Sequence, residues 1–373
     1  MTQTRGLEGV VATTSGISSI IDDVLRYRGY HIDDLAENSS FEEVIYLLWN
    51  GKLPNRNELD EFKKQLDNEA EVPQAIFEQM KSYQTDKANP MAALRTAVST
   101  LGLYDEEADE MNEEANYRKA VRLQAKIPAI VTGFARIRNG KEPVSPKKGL
   151  GFAANFLYML NGQEPDEVSE KAFNKALVLH ADHELNASTF TARVCVATLS
   201  DVYSGVTAAI SALKGPLHGG ANERVIHMLT QQIKDIDNVE SYLEKAFANK
   251  EKIMGFGHRV YQKGDPRAKH LREMSKQLTE VTGDSTWYEM SRKMEDIITK
   301  EKGLPANVDF YSASVYHSLG IEHDIFTPIF ATSRVSGWLA HILEQYSNNR
   351  LIRPRAEYTG PKEQQYISIE ERD

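Results

Sequence analysis

Apolar residues recur at helical spacing along most of this chain. In TPIFATSRVSGWLAHILEQY, residues 327–346, Val335, Trp338, Leu339, Ile342 and Leu343 return every three or four positions with polar residues between them. On a 3.6-residue turn these positions form one apolar stripe. EKAFNKALVLHADHELNASTFTARVCVATL, residues 170–199, follows the same rule and predicts continuous helix, with Phe173, Leu177, Phe190, Val194 and Val196 in the core. Between Pro54 and Pro73, the charged stretch ELDEFKKQLDNEAEV predicts a solvated amphipathic helix. The few short strands are expected near the N-terminus, in LEGVVATTSGISSI and YRGYHIDDLAENSS. The fold class is all-α, with minor N-terminal β structure.

Glycine and proline gather in three places: KGPLHGGAN (214–222), GFGHRVYQKGDPR (255–267) and KGLPANVDFYSAS (302–314). Each is a turn-rich break between helical stretches, and each carries ionisable residues. Loops of that kind, held by rigid helices, are where chemistry concentrates. Residues 220–320 are read as a small helical domain inserted into a large one formed by 1–219 and 321–373. The three loops would then line the cleft between the two.

Composition narrows the functions open to the chain. Its 373 residues can bury a large core. A net charge of −10 argues against a non-specific nucleic-acid binder and leaves room only for a local basic pocket. Cys195 is the single cysteine, which excludes an intrachain disulfide and a cysteine-rich zinc site. No apolar run is long enough to span a bilayer, and the N-terminus has no signal core or arginine-rich transit pattern. A cytoplasmic protein is expected.

The histidines fall in pointed contexts: His180 and His183 in HADH, His218 in LHGG, His258 in FGHR. Spaced i and i+3 on a predicted helix, His180 and His183 would share a face, and with Glu184 they raise the question of a metal. The order HxxHE is not the HExxH of zincins, and no third ligand motif follows, so no metal site is assigned. GFGHRV is no dinucleotide fingerprint, because Val260 stands where a third glycine is needed. Nor is it a P-loop, which ends in Gly-Lys-Ser/Thr.

Arginine adds a class of ligand. Arg267 follows Asp-Pro, Arg334 sits among Ser333, Ser336 and Gly337 in an apolar helix, and Arg353 lies in LIRPRAEY. Converging guanidinium groups bind carboxylates through paired hydrogen bonds, which points to a di- or tricarboxylate. Asp309, in ANVDFYSAS, reads either as a desolvated base able to take a proton from carbon or as an N-cap, and the two are compatible.

Taken together, LHADHELNAST, GPLHGGANE, GFGHRVYQKGDPRAK, NVDFYSA, FATSRVSGWLAH and RPRAEYTG resemble the citrate synthase family in order and spacing, over nearly the whole chain. The resemblance implies a mainly helical homodimer that condenses acetyl-CoA with oxaloacetate, without metal or redox cofactor. It implies that Asp309 is the base, His218 the donor to the thioester oxygen, and His258 the donor to the oxaloacetate carbonyl. His183, Arg267 and Arg334 would hold oxaloacetate, with Asn186 as a further polar contact and Arg353 supplied across the dimer interface. For CoA it implies backbone contacts at Ile253, Met254, Gly255 and Gly257, with Arg259, Lys263, Lys302 and Asn307 nearby. Gln262 stands where some relatives carry an arginine. The chain also lacks the extended N-terminal region of the NADH-inhibited hexameric relatives, which favours an unregulated dimer. Three other readings remain at this point: 2-methylcitrate synthase acting on propionyl-CoA, a metal-dependent hydrolase built on His180, His183 and Glu184, and a non-catalytic helical scaffold.

Overall fold

The computed structural model of the chain describes residues 5–7, 9–258, 260–261 and 263–372. Among them the helical pattern becomes sixteen α-helices. The first ten are α1 (Ile32–Asn38), α2 (Phe41–Asn50), α3 (Arg56–Glu69), α4 (Gln74–Lys81), α5 (Pro90–Leu101), α6 (Glu113–Arg138), α7 (Phe152–Asn161), α8 (Glu167–His180), α9 (Ala187–Val196) and α10 (Val202–Leu213). Five follow as α11 (Ala221–His227), α12 (Val239–Ala248), α13 (Ala268–Thr282), α14 (Thr286–Lys302) and α15 (Val308–Ser318), and α16 (Phe326–Ser347) closes the series. One antiparallel sheet precedes them, ordered β1 (Ser18–Ile21), β2 (Val24–Tyr27), β3 (Tyr30–His31). YRGYHIDDLAENSS supplies the end of β2 and all of β3, and its other half is α1, started by the His31 side chain accepting from the Asp33 N–H. No described helix is long and apolar enough to cross a membrane.

The local sequence explains where several helices begin. Ser40 with Glu43, and Asn55 with Glu58, form reciprocal capping boxes for α2 and α3. The 58–72 stretch is amphipathic as expected, burying Leu59, Phe62 and Leu66 on one side. Helix α16 is the hub, packed on α2, α5, α6, α8, α9 and α10, with Val335, Trp338, Leu339 and Ile342 fully buried and Leu343 at its edge. Helices α11, α13 and α14 each pack on α15, and α13 and α15 also rest on α8.

The segment 170–199 departs from the expected continuous helix. Helix α8 stops at His180, and α9 starts after Asn186. Tyr27 reaches into the break, its hydroxyl 3.1 Å from the Asp182 carbonyl and 3.3 Å from the Asp182 N–H. Glu184 takes a positive φ of 47° there, a conformation no continuous helix contains. Phe173, Leu177 and Val196 are core as expected, but Phe190 and Val194 beyond the break are only partly buried. Because α8 ends at His180 and His183 lies in the break, the two do not share a helical face.

Candidate active site

The break between α8 and α9 exists because α16 comes unusually close. Ser333 Oγ donates to the Leu177 carbonyl at 2.5 Å, and Ser336 Oγ reaches the Ala181 carbonyl at 3.3 Å. A Cβ on Gly337 would lie 2.4 Å from Asp182 Oδ1 and 2.5 Å from the Ala181 carbonyl oxygen. The small residues around Arg334 therefore admit backbone. They bring Arg334 beneath the break, where its Nε donates to the His180 carbonyl at 2.7 Å. Arg334 is buried against the Phe330 ring, and burial lowers its pKa to about 10.

His183 emerges from the break towards the GFGHRVY loop. Its Nε2 lies 3.0 Å from the Tyr261 hydroxyl, and its ring centroid is 5.4 Å from that of His258. Burial, then the charges of Arg267 and Arg334, hold its pKa well below the usual value. His258 is turned by its own loop. The backbone N–H groups of Val260 and Tyr261 donate to its Nδ1 at 3.0 and 3.2 Å. A nitrogen that accepts has no proton, so the neutral ring carries its proton on Nε2. Burial, followed by the Arg267 charge, depresses the pKa of His258 and favours this neutral form.

His218 lies in the turn between α10 and α11, and the opposite tautomer is imposed on it. The Ser188 N–H, in the first turn of α9, donates to its Nε2 at 3.2 Å, which leaves Nδ1–H as the free donor. The Ser188 hydroxyl is 2.8 Å from the same nitrogen and receives the Trp338 indole N–H at 3.0 Å. Burial pulls the pKa of His218 down to about 4. The turn also requires Gly219, where a Cβ would sit 2.1 Å from the Leu213 carbonyl oxygen.

Asp309 completes the cluster. It is the second residue of α15, and the N-cap is Asn307, whose Oδ1 accepts from the Asp309 N–H at 3.0 Å. Of the two compatible readings, the structure gives the cap to Asn307 and leaves the Asp309 carboxyl uncapped. A helix N-terminus favours a carboxylate, yet the carboxyl is pushed up to about 6. Burial is the main cause, opposed by Arg267 and reinforced by Asp265. Arg267 is itself buried and forked onto Asp265, with Nε and Nη2 each 2.8 Å from one carboxylate oxygen.

Some expected contacts have other work. Asn186 precedes α9 and caps it, its Oδ1 accepting from the Thr189 N–H at 3.1 Å and its Nδ2 donating to Thr189 Oγ1 at 2.9 Å. That carboxamide serves the helix end, and its second Nδ2 hydrogen has only the His183 and Glu184 carbonyls at 3.4 Å. Asn307 serves the start of α15, and its Nδ2 also donates to the Gly257 carbonyl at 2.9 Å. It locks the Ile253–Gly257 loop to the start of α15, assisted by the Asn307 N–H to the Gly255 carbonyl and the Gly257 N–H to the Pro305 carbonyl. Gly255 and Gly257 both take left-handed φ, 85° and 72°. A Cβ on Gly255 would strike Phe310 at 2.8 Å, so this loop must lie flat on α15. Ile253 and Met254 are partly buried against the core. Lys302 lies 4.3 Å above the Phe247 ring, and Lys263 is exposed. Arg259 and Gln262 lie outside the described residues.

Arg353 is not brought to the cluster within one chain. It is exposed and lines a separate surface cavity of about 770 Å³ with Thr13, Phe190 and Glu344. The metal reading finds no support in the geometry. His180 Nδ1 faces the Ala176 carbonyl at 2.7 Å, and the Glu184 carboxylate takes the Ile20 N–H at 2.5 Å. No cluster of three or more metal-ligating side chains occurs among the described residues. The site also contains residues not anticipated above: Asp265, Tyr261, Ser188 and Tyr27. Only Asp265, two positions before Arg267, had a visible signal, the carboxylate of GDPR.

An all-α frame that gathers three histidines held neutral, two buried guanidinium groups and one carboxyl of raised pKa defines an acid–base enzyme for small anionic substrates. Comparison with known proteins narrows that class: residues 6–355 match the model of the citrate synthase C-terminal domain. The chain belongs to the citrate synthase family of acyltransferases. It is 70% identical to citrate synthase 2 of Bacillus subtilis, over 100% of both chains. Citrate synthase of Pyrobaculum aerophilum superposes with a TM-score of 0.92 at 42% identity, over 98% of this chain and 95% of that one. Citrate synthase of the archaeon Thermoplasma acidophilum, solved in ternary complex with carboxymethyl coenzyme A and oxaloacetate, gives 0.91 at 36% identity over 98% of each chain.

Proposed function

We propose that this protein is a citrate synthase: it condenses acetyl-CoA with oxaloacetate and hydrolyses the resulting citryl-CoA to citrate and CoA. The observation that carries the proposal is the pair of neutral histidines held in opposite tautomers, together with a buried carboxyl that shares the field of Arg267 and Arg334 with them. Asp309 takes a methyl proton from acetyl-CoA while the His218 Nδ1–H supports the negative charge growing on the thioester oxygen. A thioester methyl is a weak acid, so base and donor must act together. The carbon then attacks the oxaloacetate ketone, which the His258 Nε2–H polarises and protonates. His183, Arg267 and Arg334 hold the substrate's carboxylates, and water cleaves the thioester. The steps call for no metal or redox cofactor.

Residues 220–320 act in this scheme as a small lobe that closes on the rest, keeping water from the enolate until carbon–carbon bond formation is complete. CoA lies along the flat loop Ile253–Gly257. The working unit is a cytoplasmic homodimer in which Arg353 reaches the partner's site, a reading supported by its exposed place on a cavity that includes none of the cluster residues. If so, chains carrying Asp309→Ala and chains carrying Arg353→Ala, each inactive alone, should regain activity when co-expressed. One of the two sites in a mixed dimer then has both residues. Verified heterodimers that stay inactive would count against the shared site.

The direct assay is CoA release from oxaloacetate with acetyl-CoA or propionyl-CoA. A higher kcat/KM for acetyl-CoA is expected. One methylene is worth only about 1–3 kcal/mol of discrimination, so the ratio should be moderate. Preference for propionyl-CoA would make the protein a 2-methylcitrate synthase, and no release with either would leave a non-catalytic scaffold.

A further inference from the structure

We propose that Asp265 is a positioning residue for this reaction, joining the guanidinium of Arg267 to the first turn of the helix that carries Asp309. The proposal rests on the reading of Arg267 as an oxaloacetate ligand and Asp309 as the base. The Asp265 side chain is fully buried. Its Oδ1 accepts from the Arg267 backbone N–H at 3.1 Å and from Arg267 Nε at 2.8 Å. Its Oδ2 accepts from Arg267 Nη2 at 2.8 Å and from the Val308 N–H at 2.9 Å. Val308 is the first residue of α15, and Asp309 is the next. One carboxylate therefore orients both the substrate-binding arginine and the helix end that presents the base.

Two consequences follow for the chemistry. The Nε–Nη2 edge of Arg267 is occupied, so an incoming carboxylate is left the Nη1 hydrogens and the end-on Nη1–Nη2 edge. Arg267, with Arg334 and Arg224, would also stabilise ionised Asp309 and weaken it as a base. The negative charge of Asp265 opposes that effect and keeps Asp309 basic. Asparagine cannot replace it. Its amide would point N–H groups at the Arg267 or Val308 donors, and the offsetting charge would be lost.

Asp265→Asn tests this through the pH dependence of kcat. The base works deprotonated, so the rate falls as pH drops through the Asp309 pKa. Removing a nearby negative charge lowers that pKa, and the acid limb should move down by about one pH unit. The plateau should fall by less than about tenfold as the base weakens. A buried ion pair that serves stability alone would lower melting temperature and leave the limb in place. Val308→Pro is the companion variant. It deletes the N–H tether and exchanges the buried Val308 side chain for a ring of similar size; proline suits the first helical position, and Asn307 already has the extended backbone required before proline, φ −104° and ψ −180°. It should lower kcat about tenfold through misplacement of the base, with the oxaloacetate KM kept within about twofold because the fork survives. An unmoved limb in folded Asp265→Asn overturns the proposal, as does wild-type kcat in Val308→Pro should Asp265→Asn not fold. Asp309→Asn, assayed alongside, separates the two layers: near-wild-type turnover there removes the base assignment itself.

Discussion

Asp309→Asn should lower kcat for condensation by about 10³, within the range typical of a lost general base, while calorimetry still shows oxaloacetate binding. The amide keeps the shape of the side chain but cannot accept the methyl proton. Arg267, Arg334 and His183, which hold the four-carbon substrate, remain in place. The wild-type pH profile supplies a second check. With the Asp309 carboxyl near 6, kcat should hold steady above that value and decline below it as the base becomes protonated. His218 titrates near 4, and burial depresses His183 and His258, so no histidine limb should appear at the ordinary imidazole pKa. A variant that turns over near the wild-type rate would show that the proton goes elsewhere.

His218→Ala and His258→Ala should each cost about 10²–10³ in kcat, the usual loss for one preorganised donor to a developing oxyanion. The two losses should be distinguishable. His218 serves the thioester, so its removal should slow exchange of acetyl-CoA methyl protons with deuterium oxide in the presence of a non-reacting oxaloacetate analogue. His258 serves the ketone, so its removal should return the carbonyl stretch of bound oxaloacetate towards its solution frequency in the infrared. If the wrong histidine produced either signature, the roles of the two histidines would have to be exchanged. Their tautomers depend on backbone donors, the Ser188 N–H for His218 and the Val260 and Tyr261 N–H groups for His258. Neither donor can be supplied by a change of side chain.

Much of this was legible in the chain. The apolar stripe of residues 327–346 became the buried face of α16, and the glycine clusters became the turns holding His218 and His258. Asp309, with its two compatible readings, shows where legibility ended. An acidic residue at a helix start is a good cap, and only the folded structure gives the cap to Asn307, two residues earlier. The reading of 170–199 failed for a related reason. Its apolar spacing is helical on both sides, and the break comes from Tyr27, more than 150 residues away, together with the close approach of α16. Asn186, expected as a polar contact after His183, also caps α9, a second role that its place in the sequence did not reveal.

The sequence by itself determined the kinds of group available and the local conformations: helix where apolar residues recur, turns where glycine allows positive φ, and the histidines, arginines and aspartate that make the family motifs recognisable. Only the tertiary structure decided what those groups are chemically. Tautomer, basicity and free hydrogen-bonding edges depend on burial and on partners far away along the chain. Ser188 meets His218, α16 brings Arg334 under the end of α8, and Asp265 ties Arg267 to α15. Local patterns follow from short-range sterics and periodicity, whereas pKa and proton position respond to the field of every neighbour that folding brings near.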